Sequence, residues 1–357
     1  MSEMRNEIGQ TIMVGLAGEE VGAGERNLFK DHPFGGFIFF RHNLKEPEQM
    51  ISLFRALWET SGELRPFIAV DQEGGRVHRL PPPFTHFPPA ATLGRTGNAD
   101  LAYRTGLAMA RELSAVGITL NFAPVLDVNT NPSNPIIGDR SLGADPQEVA
   151  RLGWEMVRGL REGGVIPCVK HFPGHGDTAQ YSHLELPVVK KSLEELKATE
   201  LPPFVHACRH QVEALMTAHV LYPALDANYP ATLSRRIVGQ LLRDELGYDG
   251  VVFSDDLEMK AVSENYSVEE AVRLAVLAGI DVLLFGHEIE KASAAFDFLC
   301  REVERNREIR ERVEASYRRI QNLKNRKLAA FTGATQKRLE NLIEEHEKIV
   351  AEIQGSR

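Results

Sequence analysis

Cysteine is scarce in this chain: Cys168, Cys208 and Cys300 are the only three in 357 residues, and no CxxC spacing occurs. An odd, widely spaced set excludes a disulfide framework and reads as buried or incidental thiols in a reducing compartment. Basic charge is not in surplus either. Against 50 Asp and Glu stand 41 Lys and Arg, a formal net charge of −9. No dense basic patch precedes the polar C-terminal region, which argues against a nucleic-acid partner. Long apolar runs are missing too, so nothing in the sequence spans a bilayer. The opening stretch MSEMRNEIGQTIMVGL holds two acidic residues and no long apolar core, unlike a secretory signal. The expectation is a cytoplasmic protein with neither membrane nor nucleic acid as partner. No G-x-G-x-x-G follows the first strand-like run, which removes the usual dinucleotide fingerprint.

What is present is the composition of an ordinary globular protein, 43% hydrophobic and 25% charged. Seven short apolar runs recur through the first 290 residues: GGFIFF (35–40), PFIAV (66–70), ITLNFAPVLDV (118–128), VIPCVK (165–170), ALMTAHV (214–220), GVVFS (250–254) and DVLLF (281–285). Continuous rather than alternating apolar character predicts parallel strands buried on both faces. Helical patterns such as DLAYRTGLAMARELSAVG and SVEEAVRLAVLAG lie between them, the latter opening on Ser267 as its cap. Alternating β and α units mean a parallel sheet, closed or open. Polar residues follow almost every run: Arg41, Asp71, Asp127, His171, His219, Asp255 and His287. Strand ends converge in this way on one face of a (β/α)8 TIM-type barrel, the fold expected here as a single domain. An eighth strand is irregular or hidden in the proline-rich stretch PPPFTHFPPAATLG (81–94). From about residue 290 the pattern is purely helical, and TQKRLENLIEEHEKIVAEI sets Leu339, Leu342, Ile343, Val350 and Ile353 near helical spacing. These helices are expected to pack outside the barrel; the alternative is a dimerisation arm. The division expected is a catalytic barrel over 1–330 and a helical extension over 331–357, in a monomer or weak dimer.

Two segments carry chemistry. In GVVFSDDLEM, adjacent Asp255 and Asp256 should point to opposite sides of an extended strand, one to a barrel mouth and the other capping the next helix. The segment VKHFPGHGDTAQYSHLELPVV (169–189) holds Lys170, His171, His175, Asp177 and His183. His171 and His175 stand four apart, but Pro173 and Gly174 between them break a helical face, and no carboxylate cluster with ligand spacing accompanies them. No metal and no cofactor is expected. His206 and His210, also four apart, read as a solvated helix face. Glycoside hydrolysis uses more of these residues: a retaining enzyme needs a carboxylate nucleophile and a proton donor. Asp255 suits the first part. A histidine, with an ordinary pKa of about 6.5, suits the second. DQEGGRVHRL (71–80) adds Asp71, Arg76 and Arg79 for sugar hydroxyls. For Glu73 and Arg76, an ion pair that holds the loop stands as the reading beside contact with substrate.

The stretches GGFIFFRHN, AVDQEGGRVHRL, NFAPVLDV, IIGDRSLG, VKHFPGHGDT, MTAHVLYP and VVFSDDLEM, in this order over roughly residues 8 to 290, resemble family 3 glycoside hydrolases. The resemblance is to their bacterial β-N-acetylglucosaminidases of the NagZ type. It implies that Asp255 is the nucleophile and His183 the acid/base. It also implies that Asp71, Arg79, Arg140, Lys170 and His171 bind an N-acetylglucosamine unit, without metal or cofactor. Members of that type recycle cell-wall muropeptides in the cytoplasm. One departure stands out: where the family reads Asp-Ser-His, this chain reads Tyr181-Ser182-His183. A tyrosine does not stabilise an imidazolium as an aspartate does, and Asp177 or Glu185 would have to substitute. Two other readings use the same pocket, a sugar-binding protein with weakened catalysis and a β-N-acetylglucosaminide phosphorylase.

Overall fold

The computed structural model describes residues 2–178, 186–328 and 336–355. Eight parallel strands pair in chain order and close on themselves: β1 (Ile12–Gly15), β2 (Gly36–Phe39), β3 (Phe67–Val70), β4 (Leu120–Asn121), β5 (Ile166–Phe172), β6 (Ala214–Thr217), β7 (Val251–Asp256) and β8 (Val282–Phe285). Closure runs through β1, with Ile12 beside Leu283 on β8 and Met13 beside Gly36 on β2. The (β/α)8 barrel expected from the sequence is therefore the observed fold. Alternation within each strand explains the unbroken apolar runs. Met13, Ile38, Phe67, Leu120, Ile166 and Phe253 fill the barrel, while Ile12, Val14, Phe37, Phe39, Ile68 and Val70 pack outward under the helices.

The eighth strand is not where the proline-rich stretch suggested. Residues 81–89 form turns and irregular backbone leading into helix Ala90–Thr96. Prolines cannot donate to a strand ladder, and this stretch has five. The missing strand is the four-residue IMVG, directly after helix Ser2–Gln10.

Helices Ile289–Arg305, Arg307–Lys327 and Gln336–Gly355 complete the chain. The long charged segment is broken at Asn306, whose side chain accepts from the Glu308 and Ile309 N–H groups and starts a new helix. Helix Arg307–Lys327 closes the bottom of the barrel. Its Ile320 and Leu323 join the barrel's interior cluster, and the buried Lys324 ammonium donates to Gln10 Oε1 at 2.6 Å and to the Gly35 carbonyl at 2.7 Å. Helix Gln336–Gly355 lies against helix Ala99–Val116 on the outside, burying Leu339, Ile349 and Ile353. Its His346 is buried as well, 2.6 Å from Glu112 Oε1. Among the described residues, no helix is long and apolar enough to cross a membrane.

Candidate active site

The C-terminal ends of the strands surround a cavity of about 730 Å³. β3 delivers Asp71 and the loop after it, β5 delivers Lys170 and His171, and β7 delivers Asp255. Lys170 is almost wholly buried, with Nζ 2.6 Å from Asp71 Oδ1 and 2.6 Å from Glu73 Oε1. Burial alone would lower its pKa; the two carboxylates outweigh this and raise it, so the ammonium is retained. Arg140, arriving on the loop after β4, grips Glu73 with two parallel bonds of 2.8 Å. The Glu73 carboxyl would be raised by burial, but Arg140 and Lys170 hold it far below the usual range.

Arg79 reaches toward Asp71, 4.0 Å from Oδ2, and lies 6.0 Å from the centroid of the Phe40 ring. Its buried Nε has no partner among the described residues. Asp71, Arg79, Arg140, Lys170, His171 and Asp255 thus meet at one cavity. His183, with Tyr181 and Glu185, lies outside the described residues. Asp177 is described, and it is engaged: Thr130 Oγ1 donates to it at 3.2 Å and Lys191 Nζ stands 3.6 Å away.

Asp255 is half-buried at the end of β7. Burial by itself would raise its carboxyl, but His219, His171 and Lys170 outweigh this with the Asp256 N–H and hold it below the ordinary value. Oδ1 accepts from that N–H at 2.8 Å. No cation makes a salt bridge to Asp255 among the described residues, whereas Asp71 and Glu73 are both pinned. Asp255 therefore offers the cavity a carboxylate that is not tied up by a cation among the described residues.

Two expectations are corrected here. Glu73 pairs with Arg140 and Lys170, not with Arg76. Arg76 instead bridges to the loop after β4, 3.2 Å from Asp139 and 2.6 Å from the Ile136 carbonyl. Glycines at 74 and 75 turn the chain between Glu73 and Arg76, so the two side chains serve different neighbours. Asp256 does not cap the next helix. Helix Lys260–Ser263 starts after Met259 without a side-chain cap, and Asp256 lines the cavity beside Asp255. Its Oδ1 accepts from Glu258 N and Gly286 N, joining the loops after β7 and β8. Burial, with the Glu258 charge nearby, pushes this carboxyl up to about 7.

The segment after β5 folds back onto the end of β4. Asp127 Oδ1 accepts from the backbone N–H of His171 at 3.2 Å and of His175 at 2.6 Å, and Asp127 Oδ2 stands 2.6 Å from His171 Nδ1. A Cβ at position 176 would lie 1.7 Å from the Val128 carbonyl oxygen, so only glycine permits this approach. His175 also lines the cavity, with Nδ1 2.8 Å from Thr178 Oγ1. Burial, reinforced by His171, lowers it to about 4. Asp127 and His175 are site residues to which sequence reasoning gave no binding role. A polar residue directly after a strand was the signal that pointed at Asp127. Among the described residues, no three His, Cys, Asp or Glu side chains are grouped to hold a metal ion.

The family model described as "Glycosyl hydrolase family 3 N terminal domain" matches residues 3–323. A protein of Thiobacillus denitrificans named Beta-hexosaminidase is 39% identical over 287 residues, 79% of each chain. One of the same name from Pseudomonas aeruginosa is 37% identical, over 82% of this chain and 86% of its own. Among solved structures, a glycoside hydrolase family 3 β-N-acetylglucosaminidase from a Paenibacillus species superposes with a TM-score of 0.90 at 43% identity. It covers 97% of this chain and 68% of its own. NagZ from Neisseria gonorrhoeae in complex with N-trifluoroacetyl-D-glucosamine superposes at 0.78 with 32% identity, over 97% of both chains.

Proposed function

The chain belongs to glycoside hydrolase family 3, and on that premise we propose that it is a retaining exo-β-N-acetylglucosaminidase. The observation that carries this is Asp255: an ionised carboxylate free of salt bridges at a barrel-strand end, in a cavity whose other deep carboxylates are pinned. In the first step its oxygen attacks the anomeric carbon as the bond to the leaving oxygen breaks, and an acid delivers a proton to that oxygen. In the second, water attacks the glycosyl ester, the conjugate base takes the water's proton, and the Asp255 carboxylate is released with the β configuration retained. His183 is the acid/base in this reading. It is supported by the match between VKHFPGHGDT with its following histidine and the family's motif, and by an imidazole's ordinary pKa near neutrality. Asp71, Arg79, Arg140, Lys170 and His171 bind the sugar. Lys170 and Arg140 are held rigid by carboxylates, so little side-chain freedom is lost when substrate arrives.

The 2-acetamido specificity is supported by the names of the relatives, Beta-hexosaminidase and β-N-acetylglucosaminidase. Action on cell-wall muropeptides in the cytoplasm is the finer reading, and its support is the likeness to NagZ along nearly the whole of both chains. The domain boundary is placed after residue 330, with helix Gln336–Gly355 as an extension of the barrel, in keeping with a family match that ends at 323. The test compares an aryl β-N-acetylglucosaminide with the aryl β-glucoside. The first should be turned over far faster, and Asp255→Ala should reduce its turnover by at least about a thousandfold with the fold intact. Equal efficiency on the two substrates, or an Asp255→Ala variant keeping more than about a tenth of the turnover, contradicts the reading.

A further inference from the structure

Behind the cavity wall, Asp127 is fully buried and its carboxylate holds three groups at the end of β5 and just beyond it: the N–H of His171, the N–H of His175 and the ring Nδ1 of His171. We propose that Asp127 is a positioning residue for the sugar. It fixes the His171 ring proton on Nδ1, and so leaves Nε2 facing the cavity as an acceptor for a hydroxyl of the bound pyranose. The inference rests on the reading of this cavity as the sugar site.

The proton assignment follows from donor counting. An ionised carboxylate only accepts, so a 2.6 Å contact to Nδ1 requires the hydrogen on that nitrogen. The backbone N–H groups of His171 and His175 and the His171 ring nitrogen all point at the Asp127 carboxylate. Asp127 therefore stays an acceptor through the neutral range. His175, whose ring centre is 5.9 Å from that of His171, is kept neutral by its burial and is occupied by Thr178. Among the described residues His171 Nε2 has no hydrogen-bond partner, although the ring lines the cavity with Lys170 and Asp255. A neutral imidazole in the Nδ1–H form presents a lone pair at Nε2. Beside the donors Lys170 and Arg140, that acceptor reads the opposite polarity of a sugar hydroxyl.

A purely structural Asp127 would brace the loop and leave the tautomer immaterial, and Asp127→Asn separates the two roles. It keeps an oxygen for the two backbone N–H groups but turns an amide NH2 toward Nδ1, which drives the ring proton to Nε2. The measurement is the 15N spectrum of the histidine-labelled full chain at about pH 8.5, above the usual imidazole range. The ring signals missing from His171→Gln identify the residue. Expected is a wild-type ring protonated at Nδ1 only, with the reverse in Asp127→Asn. That variant should also lose about ten- to a hundredfold in kcat/KM, the cost of a buried donor facing a donor. The same change should add nothing in a His171→Gln background. A wild-type ring protonated at Nε2, alone or with Nδ1, overturns the proposal. So does a loss in Asp127→Asn that multiplies with that of His171→Gln. The tautomer is read without substrate. An inactive wild type therefore sinks the glycosidase reading, while the nitrogen signals still judge Asp127.

Discussion

Asp255 and Asp256 are neighbours on one strand, yet their surroundings drive them in opposite directions. Burial would raise the Asp255 carboxyl, but His219, His171 and Lys170 outweigh it and hold it below the ordinary value. Asp256 is largely buried too, but Glu258 and Asp255 lie near it, and its ion-pair partner among the described residues is His287 Nε2, 3.8 Å away on an exposed ring. Its carboxyl is pushed up to about 7. The sign of the linkage follows. A carboxyl with a raised folded-state pKa binds an extra proton in the fold, so its contribution to stability is fully present below about pH 4, the unfolded value. That contribution is lost as the pH climbs through about 7. Asp256→Asn keeps the oxygen that accepts from Glu258 N and Gly286 N and removes the titration. Its melting temperature should gain on the wild type between about pH 5 and pH 8. A gap that is constant or shrinks over that range contradicts the assignment.

At the scale of elements, β1 shows what the barrel's closure demands. At the seam between β1 and β8 a Cβ on Gly15 would lie 1.8 Å from the Gly286 carbonyl oxygen. The obstacle is backbone, so relief requires the strands to part. Gly15→Ala should therefore cost more than the roughly 1–3 kcal/mol typical of an overpacked core. A drop of several degrees or more in melting temperature is expected; an unchanged melting temperature would show that the seam is looser than this. The same strand marks the limit of what is legible beforehand. Seven strands announce themselves as apolar runs because a barrel buries both faces, but IMVG follows helix Ser2–Gln10 with only Thr11 between, so no loop sets it apart from the helix before it. At the site, Asp71, Asp127, His171 and Asp255 were legible because strand ends converge in this fold. Their partners were not. Glu73 and Arg140 are 67 residues apart, and only the folded order of β3 and β4 brings their loops together. Arg76 is nearer in sequence to Glu73 but, beyond the turn at Gly74 and Gly75, reaches Ile136 and Asp139 on the same loop that carries Arg140.

For the whole molecule, the excess of acidic residues hides a cavity where Arg79, Arg140 and Lys170 converge on a few carboxylates. Most of that charge is spent on holding one another. The opposite end of the barrel is sealed by Lys324, whose ammonium has carbonyl and amide oxygens as partners and whose pKa burial lowers well below normal. One end is thus closed, and at the other Asp255 stands at a strand end in the cavity with no salt bridge among the described residues. The central claim is that Asp255 forms a covalent bond to the sugar. It is tested by treating the protein with a 5-fluoro N-acetylglucosaminyl fluoride, which slows release of a glycosyl-enzyme, followed by proteolysis and mass spectrometry. The account predicts one sugar per chain, on Asp255 in the peptide containing VVFSDDLEM. An enzyme that turns the reagent over without an adduct, or an adduct on any other residue, would contradict it.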